Sequence, residues 1–342
     1  MRIAVVASPV TPLRPAQLGG AQAFICDLAL GLDQRGHDVV LYCAAGSEVE
    51  GVRLATVPVP GDATAALVMP GGEEPRPVPG VEAALSAMFE SISAAGFDVV
   101  SQHAFDAPAF QLASDLPVLH TLHLPPIVRS VVQAAATTPS ARLATVSHSC
   151  LVMWRGAGVE VGQVVPNGVA SGPPLSTPVD RVAVVAGRIS PEKGIEDAIA
   201  AAGRAGMRVK VAGAHYDPAY EVDLSAAELL GPLPRDGLRR LMARSAVTIC
   251  AVRWEEPFGM VAAEAQMAGC PVAAYRRGAM PEVVEDGVSG FLAEPDDVAS
   301  LVRAINGCIE LDRSAVRASA GRRLGLDASL DRYEAALERA SR

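Results

Sequence analysis

Short apolar runs, each followed by an amphipathic stretch, recur along the 342 residues and constrain the fold more than any other feature of the chain. The runs are about four to seven residues long, rich in β-branched residues and bounded by Gly or Pro, which is typical of buried parallel strands. The stretches between them have the periodicity of crossover helices. Examples are IAVVAS followed by 21–34, and RVAVVAGR followed by 194–205. The alternation predicts a doubly wound α/β fold.

A proline-rich segment, ASGPPLSTPVD at 170–180, interrupts this alternation. It has no periodicity, which indicates a linker. Behind it the pattern restarts with a similar first strand, RVAVVAG against RIAVVAS. We therefore predict a Rossmann-like domain at 1–169 and a second one at 181–325. The last stretch, 326–342, is predicted to be an amphipathic helix that returns to the first domain.

The charge balance argues against a nucleic-acid partner. The formal net charge is −9, whereas binding to duplex phosphates needs a basic face that releases counterions. Up to residue 170, eight arginines stand against fourteen Asp and Glu, so the first half is the anionic half. No apolar run is long enough to span a bilayer, and MRIAVVAS does not have the form of a signal peptide. We expect a cytoplasmic protein without stable membrane insertion.

Ligands of open parallel sheets bind beyond the carboxyl ends of the strands, and two motifs lie there. Gly19 and Gly20 follow the first strand and precede a helix, whose N-terminus favours an anion. A plain turn is the alternative. The dinucleotide fingerprint Gly-x-Gly-x-x-Gly is absent after this strand, which argues against an NAD enzyme. In GRISPEKGIED, Arg188 and Lys193 flank a turn and can converge on a pair of phosphates, or else be solvated surface charges.

The stretch EEPFGMVAAE places two glutamates eight residues apart, Glu256 before a predicted helix and Glu264 on it. Glu264 lies among small residues, so its burial requires a hydrogen-bonding partner. The two carboxylates are spaced to hold two hydroxyl-bearing parts of one elongated ligand. The backbone N–H groups of Gly259, Met260 and Val261, at the start of this helix, would face a bound anion, and Phe258 in the preceding turn belongs to the same predicted site.

These motifs, together with AQMAGCPVAA, PEVVEDGVSGFL, VVPNGV and LLGPLP, resemble the retaining nucleotide-sugar glycosyltransferases of family four. The resemblance covers nearly the whole chain. It implies the GT-B fold, in which two Rossmann-like domains face each other across a cleft that holds the ligands.

The resemblance also implies roles for individual residues. Arg188 and Lys193 would bind the donor diphosphate, Glu264 the ribose hydroxyls, and Glu256 the hydroxyls of the transferred sugar. Leu233, two residues after Gly231, would lie against the base, and Gly20 would approach the phosphates from the first domain.

A Thr-x-His motif of this family matches Thr121-Leu122-His123 at the end of a predicted strand. His123 would face the donor sugar and stabilise charge at the reaction centre. His120 is expected to be a packed core histidine. For His103, also at a strand end, an acceptor-side role is an alternative.

One segment departs from the family pattern. YRRGAM places Arg276 and Arg277 where the family has small residues. Both arginines can be solvated, or can touch donor or acceptor.

The resemblance implies transfer with retention, and since no nucleophile is evident we favour front-face return. The sequence has no Asp-x-Asp motif, and its six cysteines lack metal-ligand spacing, so we expect neither a metal nor another cofactor.

The donor is expected to be a UDP-sugar and the acceptor a small soluble molecule. The arginine-rich composition and compact length resemble antibiotic-pathway enzymes, such as those that make avilamycin. A nucleotide-sugar epimerase and a non-enzymatic sugar-binding protein are the alternatives.

Overall fold

A computed structural model describes residues 1–14, 19–67, 78–216 and 220–342, which belong to two compact units. The first unit contains residues 1–14, 21–67, 78–166 and 329–342, and the second contains 19–20, 167–216 and 220–328.

The first unit is built on a parallel seven-stranded sheet. Its strands are β1 (Arg2–Val6), β2 (Asp38–Ala44), β3 (Arg53–Val57), β4 (Val99–Gln102), β5 (Val118–Leu122), β6 (Leu143–Thr145) and β7 (Gln163–Val164). They lie in the order β3-β2-β1-β4-β5-β6-β7. In register, Ile3 pairs with Val39 of β2 on one side and with Val99 of β4 on the other. The inner strands β4, β5 and β6 are buried along their whole length, as expected for a parallel sheet that helices cover on both sides, whereas the edge strand β3 is not.

The helices of this part of the chain are α1 (Gly20–Gln34), α2 (Pro79–Ala95), α3 (Ala107–Leu112), α4 (Arg129–Thr137) and α5 (His148–Gly156). Apolar residues at helical spacing on α2 pack onto the sheet, among them Leu85, Met88 and Ile92. Ser147 caps α5 by accepting a hydrogen bond from the N–H of Cys150.

The second unit has a parallel six-stranded sheet. Its strands are β8 (Asp180–Ala186), β9 (Arg208–Ala212), β10 (Ala227–Leu229), β11 (Ser245–Cys250), β12 (Val272–Tyr275) and β13 (Gly290–Ala293). The order is β10-β9-β8-β11-β12-β13. The helices are α6 (Ile195–Arg204), α7 (Arg235–Arg244), α8 (Met260–Met267), α9 (Met280–Val283), α10 (Val298–Ile309) and α11 (Arg313–Leu324).

The last helix, α12 (Leu326–Ala340), follows α11. Its buried stripe of Leu330, Tyr333 and Leu337 belongs to the first unit. There the ring of Tyr333 lies 5.4 Å from that of Phe24 on α1. A side chain at Gly31 of α1 would overlap Leu330, so the absence of a Cβ there permits this packing.

In each sheet the strand order reverses beside the first strand of the unit. This topological switch point lies between β1 and β4 in one sheet, and between β8 and β11 in the other. Loops leaving the two strands at such a point diverge to opposite faces and leave a crevice where ligands bind. The predicted doubly wound α/β architecture is confirmed in both units.

Within the described ranges, no helix combines the length and the apolar character that crossing a bilayer requires.

Candidate functional site

Three loops of the second unit are joined at the carboxyl edge of its sheet. The loop after β8 is bonded to the loop after β11, because the N–H of Arg253 donates to the carbonyl of Glu192 at 2.9 Å. The loop after β12 is bonded to the same segment, because the N–H of Ala279 donates to the carbonyl of Glu256 at 2.8 Å. The switch point between β8 and β11 is therefore surrounded by loops whose backbones hold one another in place.

Two glycines make this close approach possible. Gly194 and Gly278 have φ values of +59° and +57°, which non-glycine residues rarely adopt. A Cβ on Gly194 would overlap the carbonyl oxygen of Ala251, and one on Gly278 would overlap the backbone of Glu256. Both positions therefore require glycine for conformation and for space.

Lys193 and Glu256, two of the predicted site residues, meet across the switch point. The Lys193 ammonium lies 2.9 Å from Oε2 of Glu256. The indole N–H of Trp254 donates to the same oxygen at 2.7 Å, and the ammonium lies 5.1 Å from the centre of the Trp254 ring, within the range of a cation–π contact. The three side chains, from the loops after β8 and β11, form one cluster beside the switch point.

Arg188 lies on the same loop as Lys193 and pairs with a different carboxylate. Its guanidinium is 3.2 Å from Oε1 of buried Glu192 and stacks 4.8 Å from the centre of the Tyr216 ring. Both cations that the sequence predicts for phosphate binding thus hold carboxylates in this structure.

The predicted helix start after Glu256 is found at Met260, the first residue of α8. Gly259 precedes it with φ of +94°, and Phe258 is buried. The N–H groups of Met260 and Val261, in the first turn, point toward the N-terminal end of α8, where the helix dipole is positive.

Glu264 lies on α8 and is only 6% exposed, which confirms the expected burial. The partner that burial requires is arginine: Nε of Arg235 donates to its Oε1, and Nη2 of Arg239 lies 3.7 Å from the same oxygen. Both arginines come from α7. Leu233, the residue proposed to lie against the base, is half-buried and lies two residues before the first residue of this helix.

Gly20 is the first residue of α1, one position earlier than the sequence indicates, and Gly19 precedes it half-buried. The proline-rich loop before them includes residues 15–18, which lie outside the described residues.

Arg276 and Arg277 both form ion pairs. Arg276 lies 3.1 Å from Asp286, and Arg277 lies 2.6 Å from Asp296. Both side chains that the sequence left as solvated or substrate-contacting thus have carboxylate partners in this structure.

The histidines of the first unit form a buried hydrogen-bonded chain at the ends of β4 and β5. Oγ of Ser101 lies 2.8 Å from Nε2 of His103, and Nδ1 of His103 lies 2.9 Å from Nε2 of His123. The remaining ring nitrogen, Nδ1 of His123, is buried and has no hydrogen-bond partner among the described residues. His103 is therefore a neighbour of His123 and does not stand apart from it.

Burial keeps these rings neutral. Desolvation lowers the pKa of His123 to about 4, and burial together with the neighbouring His123 and His120 holds the pKa of His103 well below its usual range. A neutral imidazole has one donor and one acceptor nitrogen. When Ser101 donates to Nε2 of His103, Nδ1 of His103 donates to Nε2 of His123, and Nδ1 of His123 is then a donor as well.

His120 is the packed core histidine that the sequence predicts. It is 1% exposed, its ring stacks on Phe110 with centroids 4.6 Å apart, and its Nδ1 lies 3.2 Å from Oε1 of Gln102. Burial lowers its pKa to about 3, and Arg142 acts in the same direction.

Sequence reasoning missed Trp254, Arg235, Arg239 and Ser101. Trp254 stands two residues before Glu256. Ser101 lies on β4 and His103 directly follows that strand, so the two side chains are at alternate positions of an extended segment and share a face. Those two signals were available. The contact of Arg235 with Glu264 spans 29 positions along the chain, and no local sequence pattern predicts it or the neighbouring contact of Arg239.

No three His, Cys, Asp or Glu side chains converge as a metal site would require in the parts of the chain that the structure describes.

Two family models match the chain in sequence. Residues 18–171 match the model described as Glycosyltransferase Family 4, and residues 175–323 match the one described as Glycosyl transferases group 1. Together the two matches run from residue 18 to residue 323 with a gap of three residues.

Curated relatives are similar over most of their length. A D-inositol 3-phosphate glycosyltransferase of Mycolicibacterium smegmatis is 27% identical, covering 93% of this chain and 86% of the relative. A glycogen synthase of Mycobacterium tuberculosis is 26% identical, covering 93% and 89%.

Solved structures share the fold. Alr3699/HepE of Anabaena, crystallised with UDP-glucose, has a TM-score of 0.76 at 20% identity and covers 99% of each chain. AviGT4, a glycosyltransferase involved in avilamycin A biosynthesis, has a TM-score of 0.73 at 20% identity and covers 100% of this chain and 98% of its own. These similarities confirm the GT-B fold class. The chain belongs to the glycosyltransferases of group 1 and family four.

Proposed function

We propose that this glycosyltransferase moves a sugar from a UDP-sugar to a hydroxyl group of a small soluble acceptor, with retention of anomeric configuration and without a metal ion. The observation that carries the proposal is the meeting of Lys193 with Glu256 at the switch point between β8 and β11. It joins a cation suited to phosphate with a carboxylate suited to sugar hydroxyls, at the position where sheets of this class bind ligands.

The diphosphate would be bound by Arg188, Lys193 and the first amide groups of α8. A diphosphate carries more negative charge than a single carboxylate and presents more acceptor oxygens, so it can compete with Glu192 and Glu256 for these cations. Preorganised donors of this kind are worth about 2.7–4 kcal/mol each in transition-state stabilisation where single donors have been removed.

The nucleoside would lie along α7 and α8. Glu264 would accept hydrogen bonds from the ribose hydroxyls while Arg235 and Arg239 balance its charge. Leu233 offers an apolar surface to the base, just before α7.

The reaction we propose is front-face return. The bond between the anomeric carbon and the leaving phosphate oxygen breaks, and that oxygen takes the proton of the acceptor hydroxyl as the new bond forms on the same face. Negative charge grows on the leaving UDP, where Arg188 and Lys193 would neutralise it. Glu256 would hold hydroxyls of the transferred sugar, and the neutral ring of His123 would stabilise charge at the reaction centre through Nδ1.

Support for UDP comes from HepE, which was crystallised with UDP-glucose and with UDP. The relatives carry different names, one being a glycogen synthase and another a D-inositol 3-phosphate glycosyltransferase, so they do not indicate a single acceptor. We propose a small hydroxylated acceptor, and a role in making a secondary metabolite such as an antibiotic, which the likeness to AviGT4 supports.

The first test is calorimetry of the chain with UDP, GDP and ADP. We expect UDP to bind most tightly, with equal affinity in excess EDTA. Failure of all three to bind would contradict the donor assignment. Binding of free glucose without any nucleotide would indicate a sugar-binding protein instead.

The second test is incubation of UDP-glucose with a panel of hydroxylated acceptors, followed by NMR of the product. Retention predicts that the α-configured donor gives an α-glycoside, recognised by its small anomeric coupling constant. A β-glycoside would contradict retention, and conversion of the donor sugar without any acceptor would indicate an epimerase.

A further inference from the structure

Trp254 contributes two different contacts to the cluster at the switch point. Its indole N–H donates to Oε2 of Glu256 at 2.7 Å, and its ring face lies 5.1 Å from the Lys193 ammonium. The ammonium itself lies 2.9 Å from that same Oε2. One aromatic side chain thus touches both the cation and the carboxylate of the proposed donor site.

The two donors on Oε2 leave the other carboxylate oxygen available. Within the described residues, Oε1 of Glu256 forms no hydrogen bond with the protein. A carboxylate held through one oxygen presents the other in a fixed direction, which is what recognition of a sugar hydroxyl requires. In this arrangement Trp254 and Lys193 share the task of fixing Glu256.

A bound diphosphate changes which groups hold Glu256. It would draw the Lys193 ammonium away from Glu256, because phosphate oxygens are stronger partners for a cation than a carboxylate oxygen that already accepts another hydrogen bond. Glu256 would then lose its ion partner at the moment when its orientation matters. The indole N–H is neutral and is not drawn to the diphosphate, so it can keep Oε2 in place.

We infer that Trp254 is a positioning residue, which holds Glu256 through its N–H and keeps the Lys193 ammonium over its ring when the lysine turns from the carboxylate to the donor diphosphate. The inference rests on the proposed function and adds to it a residue that need not touch the reacting atoms.

Two substitutions separate the two contacts. Trp254→Phe keeps an aromatic face for Lys193 and removes the N–H. Without the N–H, Oε2 of Glu256 is no longer held in place, so kcat should fall by about tenfold or more, while KM for the donor changes by less than about threefold. Trp254→Leu removes both contacts and should raise the donor KM as well as lower kcat. Equal effects of the two variants on kcat and KM would contradict separate roles for the indole N–H, which holds Glu256, and the ring face, which holds Lys193.

A spectroscopic measurement tests the hydrogen bond without any change at Trp254. The chain has two tryptophans, so a 15N–1H spectrum has two indole N–H signals. Trp154 donates to the carbonyl of Leu124 at 3.0 Å in the first unit and supplies the reference signal. Glu256→Gln should move the Trp254 signal and leave that of Trp154 unchanged. An unmoved pair of signals would contradict the hydrogen bond.

Addition of UDP to the native chain distinguishes this inference from the proposed function. We expect the Trp254 signal to move as Lys193 leaves Glu256, yet to keep the low-field proton position of a hydrogen-bonded indole. If calorimetry detects UDP while the Trp254 signal stays still and Trp254→Phe has native kinetics, the inference fails and the donor assignment stands. If the native chain binds no nucleoside diphosphate, both fail.

Discussion

The buried carboxylate of Glu264 on α8 accepts a hydrogen bond from Arg235 on α7. Arg239, one helical turn along α7, reaches the same oxygen at 3.7 Å. A helix rich in arginine is thereby joined to a helix of small apolar residues, and the charge on Glu264 is balanced where water has little access. A buried carboxylate left without such partners is strongly disfavoured.

The paired substitution Arg235→Met with Arg239→Met should destabilise the second unit. It leaves Glu264 as a buried charge without its two arginines, and removing the partner of a buried ion costs about 3–5 kcal/mol. Each single substitution should cost less, because one arginine remains. The free energy of unfolding in urea provides the measurement.

The matched control is Arg240→Met, on an exposed position of the same helix, which should change stability by less than about 0.5 kcal/mol. Adding Glu264→Met to the double variant should recover part of the lost stability. A double variant as stable as the native chain would show that Glu264 does not depend on these arginines.

Lys193→Ala should lower kcat/KM by about two orders of magnitude or more, since it removes a preorganised cation from the proposed diphosphate site. The only other lysine, Lys210, lies on β9 and pairs with Glu228 at 3.4 Å, so Lys210→Ala is a control with the same change of charge. We expect near-native kinetics for the control and unchanged thermal unfolding for both variants. Similar kinetics for the two variants would remove Lys193 from the donor site.

Gly278→Ala should impair activity much more than Gly287→Ala. Both glycines have positive φ, +57° and +78°, so each alanine pays a conformational cost of about 1 kcal/mol. Only at Gly278 would the new Cβ overlap the backbone of Glu256, whereas at Gly287 no atom lies within 4 Å. The difference in donor turnover between the variants therefore measures displacement of Glu256, and equal turnover would contradict the close packing of these loops.

Acid should destabilise the first unit through His120. Burial lowers its pKa in the folded state from the ordinary value of 6.5 to about 3. Between these values the unfolded chain binds a proton that the folded chain does not, so this group's contribution is complete above pH 6.5 and is lost as the pH falls toward 3. The expected slope is about 1.4 kcal/mol per pH unit for this residue.

The substitution His120→Gln removes the titrating ring and keeps a polar side chain, so the free energy of unfolding of the first unit should depend less steeply on pH. Chemical unfolding at several pH values between 5 and 7.5 gives the comparison. A slope unaffected by His120→Gln would mean that the ring is not held neutral by burial.

The sequence predicts most strands of both sheets because central parallel strands are continuous apolar runs. β3 does not stand out, since it is an edge strand with no fully buried residue. The sequence does not predict α7 either, because four arginines and Gly237 interrupt its short pattern of apolar residues, which includes Met242.

For the site, the sequence identifies the side chains proposed to bind the ligand, but misses the side chains that hold those ligand-binding residues in place. Glu256, Glu264 and Lys193 belong to short motifs with a chemical meaning. Trp254 and Arg235 act on those carboxylates, one across two residues and the other across 29. Contacts between separate elements depend on tertiary packing, which a linear pattern does not contain.

The buried residues Leu330, Tyr333 and Leu337 of α12 have a consequence for biosynthesis. A ribosome delivers the chain from the N-terminus, and domains ordinarily fold in that order. Here the first unit needs residues from the last helix to fill its interior beside Phe24 and Gly31, while the whole second unit has already emerged. The first unit, although translated first, therefore completes its folding last. Until then its unfilled apolar interior is exposed, which makes it a surface that chaperones bind.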